Sequence, residues 1–119
     1  MEWLSISTIS EIIRIPTDEI VFIKGDGNYS DIHLQNGKVE NVLAQLHCLN
    51  DKLSSITNSP FHRVGKSFII NKNFIYKVCP NLQRLILSNS KLEGDIHLKM
   101  SKEALKDLKD KLEKEGGNL

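Results

Sequence analysis

The sequence predicts a mainly β domain with one short helix in mid-chain and one at the C-terminus. Three observations carry that prediction. Apolar and polar residues alternate through most of the chain, the two-residue period of half-buried strands. Clusters of Gly, Asn, Ser and Pro punctuate the runs at short intervals. The period lengthens toward helical spacing only at Leu43, Leu46, Leu49 and Leu53, and again at Ala104, Leu105, Leu108 and Leu112.

In order along the chain, Trp3 to Ile6 and Glu11 to Ile15 read as strands, followed by a turn at Pro16-Thr17-Asp18. Ile20-Val21-Phe22-Ile23 is a continuous apolar run, as expected of a strand covered on both faces. Gly25-Asp26-Gly27-Asn28 is a turn, because Gly and Asn accept positive φ at low cost. Tyr29 to Leu34 resumes the strand pattern, and Asn36-Gly37 predicts a two-residue hairpin turn into Lys38 to Asn41. Val42 to Leu53 reads as an amphipathic helix and Ser54 to Pro60 as a polar loop. Strands then return at Phe61 to Val64, Ser67 to Ile70, Phe74 to Val78, Arg84 to Leu87 and Leu92 to His97. Ser101 is the expected N-cap of the last helix, whose outer face interleaves Lys with Asp and Glu and which Gly116-Gly117 should end.

A chain of 119 residues suffices for one domain with a modest core. We expect a single unit over 1–119, its core spanning about 2–113, with 114–119 a frayed tail. No apolar run approaches the length of a membrane span, and the N-terminus lacks the basic start and apolar stretch of a signal peptide. The expected location is therefore the cytoplasm, with Cys48 on a helix and Cys79 at a strand end as reduced thiols. The net charge of only +1 excludes a uniformly basic polyanion binder. Positive charge is nevertheless concentrated locally: Arg63, Lys66, Lys72 and Lys77, with His62, fall between residues 61 and 77 without one Asp or Glu.

Enzyme motifs fail on inspection. Gly65-Lys66-Ser67 ends like a nucleotide phosphate loop, but Pro60 stands where its first Gly belongs, and Phe-Ile-Ile follows where a helix should open. The Gly25 to Ser30 segment has neither the third Gly of a dinucleotide fingerprint nor the Gly and Glu of a calcium loop, where Asp31 and Gly37 stand instead. His33, His47, His62 and His97 show no metal-type spacing, and no triad is evident. No catalytic activity, cofactor or metal is expected.

The ordered series Asp18 to Ile23, Gly25 to Tyr29, Phe61 to Ser67, Phe68 to Asn71, Ile75 and Met100-Ser101-Lys102 resembles the LytTR-type DNA-binding domain of bacterial transcription regulators. Its most specific piece is Arg63-x-x-Lys66-Ser67-Phe68-x-x-Asn71, after a helix and a loop. The likeness covers roughly residues 2–113. It implies small antiparallel sheets stacked into an elongated body, with loops on one edge entering successive major grooves. It further implies double-stranded promoter DNA, usually paired direct repeats bound by two copies. Many relatives carry an N-terminal receiver or membrane segment. The expectation therefore divides between a stand-alone regulator and a domain cut from a longer protein, with a receiver or sensor domain or a partner kinase missing.

By the same resemblance, Asn28 and Tyr29 lie near a groove, and Gly65, Lys66 and Ser67 form the contacting loop between the paired strands. A third contact falls at Ser101 and Lys102, where relatives often carry Arg. Lysine lacks the planar fork of Arg, which favours phosphate over a bidentate guanine contact. Val64 stands where one type of relative has a redox-sensitive Cys, so no thiol switch is expected at that position. Read from physics alone, Gly65 lets backbone approach an anion that Lys66 reaches. Arg63 divides between a structural ion pair and a DNA contact, Lys72 between phosphate and a solvated turn, and Asn71 is expected to cap a turn. The alternative is a β-rich protein–protein or ligand-sensing module without DNA binding.

Overall fold

A computed structural model describes residues 2–116. Strands β1 (Trp3–Ser7) and β2 (Ile12–Pro16) pair as a hairpin. Strands β3 (Ile20–Asp26), β4 (Tyr29–Leu34), β5 (Val39–Val42), β6 (Phe61–Val64) and β7 (Phe68–Asn71) form an antiparallel sheet in the order β5-β4-β3-β7-β6. Strands β8 (Ile75–Cys79), β9 (Arg84–Leu87) and β10 (Ile96–Lys99) make a third antiparallel sheet. Helices α1 (Leu46–Ser54) and α2 (Lys102–Gly116) complete an elongated body of 48 × 28 × 28 Å.

The central sheet separates two cores. On one side Ile20, Ile23, Ile32 and Ile69 pack with Leu49 and Leu53 of α1 and with Leu4 and Ile15 of the first hairpin. On the other, Val21, Phe22, Val64 and Ile70 pack with Leu85 and Leu87 of β9 and Leu105 and Leu108 of α2. Each such aliphatic side chain, once fully buried, stabilises the fold by roughly 1.5–3 kcal/mol. The apolar run Ile20 to Ile23 is thus the middle strand, covered on both faces as its composition requires. Strict alternation would send Val21 and Phe22 to opposite sides. A bulge in the pairing with β4, between Ile20 and Phe22, lets both enter the same core. His33 stacks on Phe22 at 4.0 Å, and this burial holds its imidazole below the ordinary histidine pKa.

Several boundaries differ from expectation, each for a local reason. Helix α1 begins at Leu46, because Val42 pairs with Ser30 in the β4–β5 ladder and Gln45 is extended. Leu43, expected on the helix's apolar face, is exposed. The β4–β5 connection is a three-residue loop: Leu34 and Lys38 close it, and Gly37 has φ +87°. Strand β10 starts at Ile96, opposite Leu87, since β9 offers only four residues for pairing, while Asn89 organises a turn by accepting from the Lys91 N–H. Helix α2 continues through Gly116 where a frayed tail was expected from residue 114. The expected stop at Gly117 lies outside the described residues. Asn71 caps its turn by accepting from the Asn73 N–H at 3.0 Å, and its amide donates to the Ile20 carbonyl at 2.9 Å.

Candidate nucleic-acid interface

Two turns and a helix start meet at one edge of the body. In the first, Gly27 and Asn28 join β3 to β4, with Asp26 opposite Tyr29. Gly27 has φ +61°, a conformation that a two-residue hairpin demands at its first central position and that Gly adopts without strain. The turn is therefore shorter than the Gly25 to Asn28 segment suggested, and Gly25 serves another purpose. A Cβ there would lie 2.9 Å from the Leu46 Cβ, so Gly25 permits the approach of α1. Asn28 and Tyr29 are exposed, and the Asn28 Oδ1 accepts from Gln45 Nε2 at 2.9 Å. Ser30 turns inward and donates its hydroxyl to the Ala44 carbonyl at 2.7 Å.

The second turn is Gly65-Lys66-Ser67, closed by the Val64–Phe68 pair. All three residues are exposed, and Gly65 has φ +62°. Arg63 makes no ion pair among the described residues. Its Nη2 instead donates to the Lys66 carbonyl at 2.8 Å, fastening the turn from behind. The Lys66 ammonium has no carboxylate partner among the described residues.

The third element is the start of α2. The Ser101 Oγ accepts from the Ala104 N–H at 3.2 Å, so the hydroxyl is engaged as a cap. Lys102 follows, exposed, in the first turn.

Short contacts hold these elements together. The Gly25 N–H donates to the Ser67 carbonyl at 2.8 Å, joining the first turn's strand to the second turn. A Cβ on Gly65 would lie 3.5 Å from the Ala104 Cβ, which seats the second turn against α2. Of the residues singled out by sequence, Asn28, Tyr29, Gly65, Lys66, Ser67, Ser101 and Lys102 are brought together, with Arg63 behind them. Lys72 is not. It sits at the opposite end of β7, its Nζ 3.2 Å from Glu115 near the far end of α2. The Lys72 hydrogen bond, with a smaller contribution from His62 at 3.4 Å, holds the Glu115 carboxyl below its ordinary pKa.

Sequence reasoning missed Gln45 and Ala104. Both act across the fold, and neither carries a local signal. Gly25 could have been separated from the turn by parity, since Gly25 and Asp26 extend β3 in register with Ser30 and Tyr29.

Small stacked antiparallel sheets that present two exposed glycine turns beside a helix start define the class of this mainly β domain. The family model of the LytTr DNA-binding domain matches residues 10–113, and the chain belongs to that family of transcription-regulator DNA-binding domains. A LytTr DNA-binding domain from Bacillus cereus, in a protein described as a methyl-accepting/DNA response regulator, has a similar fold. The TM-score is 0.66 at 15% identity, over 94% of this chain and 97% of that one. A comparison with curated proteins gives no match. No helix described is long and apolar enough to cross a membrane. Among the described residues no group of three or more His, Cys, Asp or Glu could hold a metal ion.

Proposed function

We propose that this domain binds double-stranded promoter DNA sequence-specifically, through the β3–β4 turn, the β6–β7 turn and the start of α2, and so regulates bacterial transcription. The supporting observation is the convergence of Asn28, Lys66 and Lys102 on elements tied by the Gly25–Ser67 hydrogen bond and the Gly65–Ala104 contact. The β3–β4 turn enters a major groove, and the β6–β7 turn, tied to it by the Gly25–Ser67 hydrogen bond, meets the adjoining groove edge and backbone. Lys66, unpaired among the described residues and set beside a glycine of positive φ, meets phosphate or the groove edge. Asn28, with its oxygen held by Gln45, presents amide hydrogens suited to acceptors such as guanine O6 or N7 and thymine O4. Lys102 acts as a point charge on phosphate, helped by the N–H groups at the helix start. Two copies occupy paired direct repeats in the cytoplasm. Lys72, engaged with Glu115, lies outside the contact surface.

Fluorescence anisotropy against a promoter-derived duplex pool, at two salt concentrations, tests this reading. Binding should weaken steeply with salt, the log–log slope changing by roughly 0.9 for each phosphate neutralised. Absence of duplex affinity above background at low salt would sink the function. Binding untouched by Lys66→Ala, Asn28→Ala and Lys102→Ala would sink the assigned surface.

A further inference from the structure

We propose that the outer face of the β8–β9–β10 sheet is a second phosphate-binding surface, seating the DNA backbone in a groove around Arg84 and Lys99. The inference rests on the DNA-binding reading above and extends it to residues outside the two turns and the start of α2.

The sheet's inner face is settled by packing, since Leu85 and Leu87 of β9 are fully buried. Their register partners Leu98 and Ile96 therefore point inward too. Arg84 and Ile86, with their partners Lys99 and His97 on β10, must point outward. On the other side of β9, Cys79 and Lys77 of β8 are the partners of Arg84 and Ile86 and share this outer face. One face of a small sheet thus carries Lys77, Arg84, Lys99 and His97. Strands β8, β9 and β10 contain no Asp or Glu at all. The nearest carboxylates in sequence are Asp95, just before β10, and Glu103, in the first turn of α2.

The pairing is physically unfavourable for an isolated domain. Arg84 and Lys99 are direct cross-strand neighbours, and like charges in that relation destabilise a sheet. Four lysines are matched to carboxylates among the described residues: Lys38 with Glu40, Lys72 with Glu115, Lys109 with Glu113 and Lys111 with Asp107. Among the described residues Lys77, Arg84 and Lys99 have no such partner. A polyanion supplies the missing countercharge.

Shape and position choose the polyanion. Leu82, Gln83, Arg84, His97, Leu98 and Lys99 line a concavity of about 310 Å³. Its floor is anchored where the Met100 N–H donates to the Gln83 carbonyl at 3.1 Å. Met100 immediately precedes Ser101 and Lys102, so Lys99 at the groove stands three residues before the third proposed contact. A duplex engaged at the start of α2 runs its backbone past this groove.

The test compares wild type with Arg84→Gln/Lys99→Gln on a long random-sequence duplex and on the best binder of the promoter pool. Phosphate contacts carry no base information, so affinity should fall by the same several-fold factor on both. The log–log salt slope should shrink by roughly 0.9 for each phosphate no longer neutralised. Arg84→Lys should retain most of the slope. The double variant's melting temperature should be unchanged or higher, because a like-charge pair is removed. Wild-type slope and affinity on both duplexes would overturn the inference while leaving the turn assignment standing. Weaker binding by this variant, with none of that weakening in Lys66→Ala or Lys102→Ala, would keep the groove and overturn the turns. A wild type that binds neither duplex overturns both.

Discussion

The β6–β7 hairpin carries a lysine at each end, and the two ends behave differently. At the turn, Lys66 is exposed beside Gly65 and has no carboxylate partner among the described residues. At the open end, Lys72 is half-buried and bonded to Glu115, with His62 alongside. The residues belong to the same basic stretch and differ little in local chemistry. What separates them is α2. Its first turn, which ends in an uncharged Ala104, meets the hairpin's turn, and its last turn brings Glu115 to the hairpin's base. A basic cluster in sequence therefore divides into an available charge and a structural one.

The largest effect should come from the open end. Asn71 is 1% exposed and uses both ends of its amide, one to cap the turn and one to satisfy the Ile20 carbonyl. Asn71→Ala should destabilise the domain by about 3 kcal/mol in urea unfolding, summing a buried unpaired carbonyl and the missing cap. A change within experimental error would mean that the strand-end hydrogen bonds do not hold this region.

At the turn end, Gly25→Ala places a Cβ against the Leu46 Cβ and should cost roughly 1–3 kcal/mol through overpacking. Displacement of α1 would disturb the Gln45–Asn28 contact, so DNA affinity should fall together with stability. Lys66→Ala sharpens the comparison by separating those quantities. It should lower the salt slope of DNA binding by roughly 0.9 and leave unfolding within ~0.5 kcal/mol of wild type. Equal losses of stability and binding would make Lys66 structural.

Lys72→Ala should give the smallest effect, a surface pair being worth about 0–1 kcal/mol. The Glu115 carboxyl is lower in the folded state than in the unfolded chain, so its contribution is present above the ordinary carboxylate pKa. It is lost as pH falls through the depressed folded value. Removing Lys72 should move the Glu115 titration, followed by carboxyl carbon NMR, upward and flatten that acid dependence. DNA affinity should stay at the wild-type value, and a fall comparable to that of Lys66→Ala would return Lys72 to the interface.

Sequence alone determined the mainly β class, the buried middle strand at Ile20 to Ile23, the turn residues Gly27 and Gly65, and the apolar face of α2. These follow from local periodicity and from backbone conformations that few residue types adopt. The resemblance to LytTR domains was equally legible, because its motif residues stand in order along the chain. Tertiary structure decided the rest. It moved the start of α1 by holding Val42 in a ladder with Ser30, and it turned Arg63 into a clamp on the Lys66 carbonyl. It withdrew Lys72 from the edge where Lys66 and Lys102 stand, and it aligned Arg84 with Lys99. Each outcome depends on which strand or helix end lies opposite, and a side chain's charge carries no record of the neighbour that will neutralise it.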